Sequence, residues 1–193
     1  KLSALISPPK GQKKVAVVGG GPAGMRAALY LSERGHSVTL YEKTDYLGGK
    51  AKFADLYDFK WPIRRYRLWL IDELADKGVD VRLNCEPGPD ALREAKFDAI
   101  IACTGSHAKK PPVEGADDDR VLTSEDIYER RVLPDALGQH VVMVGGSSVA
   151  VETAMYLAAQ GKRLTVISRQ FRLAMDSANP HDGLRSEEHT SEL

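Results

Sequence analysis

Apolar residues along this chain fall into two kinds of pattern. Short unbroken runs occur at Val15–Val18 and Val141–Val144, and Val38–Tyr41 and Leu164–Ile167 form the strands that follow them. Apolar runs of that length, without polar alternation, predict strands buried on both faces of a parallel sheet. Between the paired runs, Ala23–Arg34 and Val149–Gln160 carry apolar residues at helical spacing, and each predicts a helix. Gly35 and Gly161 follow these helices and end them. A third helix is predicted over Ile63–Asp76, with Pro62 at its start and Leu68, Ile71, Leu74 and Ala75 on one face.

The first pattern is repeated. Laid without a gap over Val141–Arg169, the stretch Val15–Lys43 is identical at Val15/Val141, Val18/Val144, Gly19/Gly145, Gly20/Gly146, Ala28/Ala154, Tyr30/Tyr156, Leu31/Leu157, Gly35/Gly161 and Thr39/Thr165. Each copy reads as strand, glycine turn, helix, strand, which is a β-α-β unit with a right-handed crossover. The fold class is therefore α/β, with two Rossmann-like units, and two such units imply two nucleotide sites.

In the first copy, Gly19-Gly20-Gly21-Pro22-Ala23-Gly24 fits G-x-G-x-x-G between a strand and a helix. In that pattern Gly19 permits the tight turn, Gly21 lets backbone approach a pyrophosphate, and Gly24 lets helix pack on strand. The helix N-terminus, with Pro22 and Ala23 in its first turn, offers N–H groups and a positive dipole to phosphate. Glu42 ends the second strand, where a carboxylate accepts hydrogen bonds from ribose hydroxyls. Strand, motif, helix, strand and acid in order make a specific signal, whereas the glycines alone would not.

The second copy departs from the pattern. Gly145 is kept, Ser147 stands at the middle glycine and Ala150 at the last, where alanine is tolerated. Ser147 narrows the backbone's approach to a pyrophosphate, although its hydroxyl can bond to one. Ser168 replaces the acid and Arg169 follows it. A neutral residue followed by Arg favours the 2′-phosphate of NADPH over NADH.

Gly21-Pro22-Ala23-Gly24, then Glu42-Lys43, then Leu47-Gly48-Gly49 resembles the FAD site of the two-dinucleotide-binding-domain flavoproteins. The resemblance implies that Gly48 and Gly49 run beside the FAD pyrophosphate and ribityl chain. It also marks Asp98–Gly105, an apolar strand ending in Thr104-Gly105, as the passage from the FAD domain into an inserted NAD(P)H domain. Cys103 stands where that family has Ala, a small change. Glu152 is similar to a family glutamate on the nicotinamide path; an acid complementing the helix dipole is the equal alternative. The stretches Asp58–Tyr66 and Val79–Asn84 are similar to one branch, the C-terminal module of the 2,4-dienoyl-CoA reductase and trimethylamine dehydrogenase group. That branch implies FMN and an iron–sulfur cluster in a preceding part.

The domains expected on this reading are a linker over 1–13, the first part of the FAD-binding domain over 14–106, and an NAD(P)-binding domain over 107–184. Arg185–Leu193 reads as the in-frame translation of a sequencing-library adapter, and Gln170–Gly183 reads as irregular. Both ends therefore read as cut, and a sheet cut open would expose an unpaired edge. Arg64, Arg65 and Arg67 form a run that is more often a solvated helix face than a contact to flavin phosphates. Trp61 and Trp69 are expected to pack rather than border a flavin.

Composition narrows the functional classes. The chain of 193 residues is 42% hydrophobic and 28% charged, with 27 basic and 27 acidic residues. That balance gives no basic excess for a nucleic-acid partner. No apolar run is long enough for a membrane span, and no signal peptide opens the chain, so a cytoplasmic location is expected. Cys85 and Cys103 are far apart and expected to be buried or half-buried thiols, not the close pair that disulfide-reducing flavoenzymes use. The histidines have no metal-ligand spacing, and no catalytic side chain stands out. The expected function is a module passing electrons from NAD(P)H to FAD and on to a small-molecule or protein-bound acceptor, of open oligomeric state. The alternatives are an electron-transfer subunit of the glutamate synthase small-subunit type, or a nucleotide-binding structural domain without turnover, and the chain as an isolated fragment is expected to be inert, binding FAD weakly or folding poorly.

Overall fold

The computed structural model describes residues 11–169 and 172–174. The linker expected before residue 11, most of the irregular stretch after Arg169 and the expected adapter tail lie outside the described residues. The chain divides into two compact units, Lys1–Ser106 and His107–Leu193.

The first unit is a parallel sheet with helices against it. Its strands are β1 (Lys14–Val18), β2 (Ser37–Tyr41), β3 (Asp80–Arg82) and β4 (Ala99–Ala102), in the order β3-β2-β1-β4. All pairings are parallel, with Val15 opposite Val38 on one side and Ala99 on the other. The unbroken apolar run of β1 follows from that central place: Val15, Ala16 and Val17 are buried. Helix α1 (Pro22–Glu33) and helix α2 (Trp61–Asp76) complete the main core, where Met25, Leu29, Leu40, Leu70 and Leu74 pack together. Helix α3 (Pro89–Glu94) buries Leu92 against Ala16 and Tyr41 in a smaller cluster. Two short 3-10 segments, Gly49–Leu56 and Asp58–Lys60, carry the chain from the glycine pair into α2.

Helix α2 differs in phase from the expectation. Leu70 and Leu74 are buried, whereas Leu68 is 47% exposed. The buried stripe is Arg67, Leu70 and Leu74, with Ile71 packed against the core. Nor do Trp61 and Trp69 pack inside: they are 52% and 42% exposed, and Trp69 stacks on Tyr66.

The second unit contains helix α4 (Ser124–Tyr128), strand β5 (His140–Val144), helix α5 (Ser148–Ala159) and strand β6 (Arg163–Ile167). β5 and β6 pair in parallel, Val141 opposite Leu164, as a two-stranded sheet among the described residues. Ile127, Ala154, Leu157 and Leu164 form its core. The run Val141–Val144 is not buried on both faces here: Val142 and Val144 are 50% and 72% exposed. With β6 on one side only, α5 covers one face and the other stays open. No helix among the described residues is long and apolar enough to cross a membrane.

Candidate functional site: two glycine turns

The first turn joins β1 to α1. The Gly19 N–H donates to the Tyr41 carbonyl (2.8 Å) and the Cys103 N–H donates to the Val18 carbonyl (2.7 Å), so the turn sits between the ends of β2 and β4. Each glycine there has a separate cause. A Cβ on Gly19 would run into the Cys103 carbonyl, and one on Gly24 would run into the Gly19 carbonyl. A Cβ on Gly20 would stand 2.6 Å from Leu47 and 2.9 Å from the Glu42 carboxylate. These three are glycine because the chain packs on itself.

Gly21 is different. It has φ −71° and ψ 178°, a conformation any residue adopts, and a Cβ there would meet no atom within 4 Å. Nothing among the described residues requires glycine at this position. Gly21 is also the N-cap of α1, and no side chain caps this twelve-residue helix. An open, side-chain-free position at an uncapped helix N-terminus fits the close approach of an anion.

Glu42 is buried, with 7% of its surface exposed. One carboxylate oxygen accepts the Gly20 N–H (2.7 Å), and the other accepts the Thr44 N–H and hydroxyl (both 2.9 Å). A carboxylate offers about four acceptor positions, so one remains beside Gly20 for a ribose hydroxyl. Gly20 and Thr44 were not among the expected site residues. Gly20 is invisible to the motif, where it is an arbitrary position, and the Thr44 contact depends on how the chain turns after β2. Lys43, by contrast, is exposed.

The glycine pair closes over the turn. The Gly48 N–H donates to the Gly20 carbonyl (2.8 Å), and a Cβ on Gly49 would stand 3.1 Å from the Gly21 Cα. Gly19, Gly21, Gly24, Glu42, Gly48 and Gly49 thus gather at one end of the parallel sheet. Thr104 follows Cys103 directly, its nitrogen 3.2 Å from a Cβ on Gly19; Thr104 and Gly105 are exposed. Cys85 and Cys103 are both half-buried free thiols.

The second turn repeats the first in outline. The Gly145 N–H donates to the Ile167 carbonyl (2.9 Å), the counterpart of Gly19 with Tyr41. A Cβ on Gly146 would run into the Ser168 side chain, as one on Gly20 would into Glu42. The difference lies at Ser147. Its hydroxyl accepts a long hydrogen bond from the Ala150 N–H (3.4 Å), so it caps α5 itself. Gly145, Ser147 and Ala150 border an open groove of about 780 Å³ that also touches Lys109, Lys110 and Val142. Ala150 is buried, Arg169 is exposed. Glu152 is half-buried and lies past the first turn of α5, which holds no acidic residue. That position removes the helix-dipole explanation, since the effect fades beyond the first turn. No cluster of metal-ligating side chains occurs among the described residues.

Comparison with known proteins places the chain in a family. The family model described as pyridine nucleotide-disulphide oxidoreductase matches residues 13–182. An NADH oxidase from Thermoanaerobacter brockii is 38% identical over 167 residues, covering 86% of this chain and 26% of the relative. A cinnamate reductase from Clostridium sporogenes is 39% identical over 158 residues, covering 82% of this chain and 23% of the relative. Among solved structures, 2-naphthoyl-CoA reductase in complex with 2-naphthoyl-CoA superposes with a TM-score of 0.89 at 31% identity, over 98% of this chain and 28% of that one. The chain therefore spans about a quarter of the length of these three relatives.

Proposed function

The chain belongs to the pyridine nucleotide-disulphide oxidoreductase family, which works with FAD and NAD(P)H, and on that premise we propose that it forms the nucleotide-binding part of an NAD(P)H-linked flavin oxidoreductase. The first glycine turn is the FAD site and the second is the NAD(P)H site. The observation that carries this reading is Gly21, an open position at an uncapped helix end that no contact among the described residues explains.

Each residue then has a task. Gly21, Pro22, Ala23 and Gly24 present the α1 N-terminus to the pyrophosphate, Gly20 and Thr44 hold Glu42 in place, and Glu42 accepts a ribose hydroxyl. Gly48 and Gly49 cover the phosphates, while Lys43, Thr104 and Gly105 border the site. In the second unit Gly145, Ser147 and Ala150 receive NAD(P)H, Glu152 faces the nicotinamide end, and Arg169 favours the 2′-phosphate of NADPH. FAD, when bound, supplies the redox chemistry, accepting a hydride and passing electrons to a second acceptor. The acceptor is a small molecule or a protein-bound centre, and the setting is the cytoplasm.

The test is anaerobic mixing of the FAD-loaded protein with NADPH or NADH while the visible flavin band is followed. Bleaching, faster with NADPH, is expected. A flavin that stays oxidised with both donors would mean that the second turn does not deliver a hydride.

A further inference from the structure

Arg67 is the one arginine of the run on α2 that turns inward: it is 9% exposed, whereas Arg64 and Arg65 are exposed. Its side chain lies directly beneath the glycine pair. A Cβ on Gly48 would run into the Arg67 Cδ and stand 2.8 Å from its Cγ, so the absence of a side chain at Gly48 is what admits the arginine. One end of the guanidinium is paired, Nη2 donating to the Asp55 carboxylate at 2.6 Å. The Nε–H is buried and has no acceptor among the described residues.

A buried donor left unsatisfied costs about 1–3 kcal/mol, and such a group in a folded protein calls for a partner. The loop above it, Gly48–Gly49, is bonded to Gly20 and touches Gly21. The arginine therefore stands under the same loop that closes on the anion-binding helix end. Asp55 answers its charge only in part, because the carboxylate side chain is 34% exposed and solvated.

We propose that Arg67 is a phosphate-recognising residue of the first site, holding a buried cation and a free Nε–H beneath the Gly48–Gly49 loop for the pyrophosphate of the dinucleotide. This rests on the reading of the first glycine turn as the FAD site. The rival role is a purely structural one, a clip in which Arg67 and Asp55 hold the loop against α2. The two roles differ in what happens when Asp55 is neutralised. A clip fails when either partner is removed. A phosphate ligand deprived of its carboxylate is left with an uncompensated charge, and an incoming anion satisfies it better than before.

The experiment measures FAD affinity by calorimetry on the full chain and on Arg67→Met, Arg67→Lys and Asp55→Asn, with the thermal shift given by inorganic pyrophosphate on each apoprotein. Arg67→Met keeps the alkyl stem under Gly48 and removes the charge and the donor. It is expected to weaken FAD at least tenfold and abolish the pyrophosphate shift, with Arg67→Lys in between. Asp55→Asn is expected to bind FAD as tightly as the parent or tighter, with a larger pyrophosphate shift. Loss of affinity in Asp55→Asn equal to that in Arg67→Met would make the pair a clip and overturn the proposal, as would unchanged affinity in Arg67→Met. Should Arg67→Met not fold, the Asp55→Asn result alone decides. A parent chain that takes up no FAD at all would overturn the reading of the glycine turn, and this proposal with it.

Discussion

At the scale of single residues, the glycines of the first turn divide by cause. Gly24 is packed against the Gly19 carbonyl, so Gly24→Ala forces backbone apart. It is expected to destabilise the protein by about 2–4 kcal/mol, read as a lower denaturation midpoint without FAD. The motif announced Gly19, Gly21 and Gly24 from their spacing alone, and the acid at Glu42 from its place after the second strand. It was silent on Gly20, whose N–H fixes the Glu42 carboxylate, because the pattern accepts any residue there. Arg67 was legible only as one of three neighbouring arginines, and which of them turns inward depends on the rotation of a helix. Arg169 remains exposed beside the second turn. If it reads the 2′-phosphate, Arg169→Ala should lose roughly tenfold in preference for NADPH over NADH, the worth of about one charge-assisted hydrogen bond. Stopped-flow flavin reduction with both donors measures it, and an unchanged ratio would remove Arg169 from the site.

At the scale of elements, the two β-α-β units were legible because three signals coincide in each: an unbroken apolar first strand, a glycine turn and a helix with one apolar face. Helix α2 lacked that agreement. Trp61, Ile63, Tyr66, Leu68, Trp69, Leu70, Ile71 and Leu74 spread apolar surface around most of its circumference, so pattern could not choose the core face. Packing chose Leu70 and Leu74, and Arg67 one turn earlier followed. Leu70→Ala is therefore expected to cost about 2–5 kcal/mol, against about 0.5 or less for Leu68→Ala. Urea denaturation of the two variants separates the two helix phases, and equal losses would contradict the burial of Leu70 over Leu68. Helix α4 offers a pH-dependent case. The Asp126 carboxylate accepts the Thr123 N–H (2.7 Å) and hydroxyl (2.8 Å) at its start. The Thr123 N–H, helped by its hydroxyl and by Arg131 and opposed by burial, holds the Asp126 carboxyl below the ordinary carboxylate value. A lowered value in the folded state gives stability that is present above the ordinary value of about 4 and lost as pH falls through the folded one. Asp126→Ala should thus cost about 1 kcal/mol at neutral pH, and the gap to the parent should close below about pH 4. A gap that persists in acid would contradict the cap.

At the scale of the whole molecule, one plan is used twice with different endings. The first unit has four parallel strands, an uncapped helix and a buried acid. The second has two strands among the described residues, a self-capped helix and Ser168 with Arg169 in place of the acid. The self-overlay of the sequence revealed the plan, because glycines and apolar strand residues recur in register. It could not reveal how much of β5 stays open, since burial depends on which neighbours flank a strand. The family follows from the match over residues 13–182, and the roles proposed for the two turns rest on it. The most direct measurement is FAD binding to the parent chain and to Gly21→Ala, each with its thermal midpoint as apoprotein. A Cβ on Gly21 meets no atom of the described residues within 4 Å, so the midpoints should agree within about 0.5 kcal/mol of stability, while FAD affinity falls at least tenfold. Equal FAD affinity in the two proteins would contradict the account, because the glycine would then have no ligand to explain it.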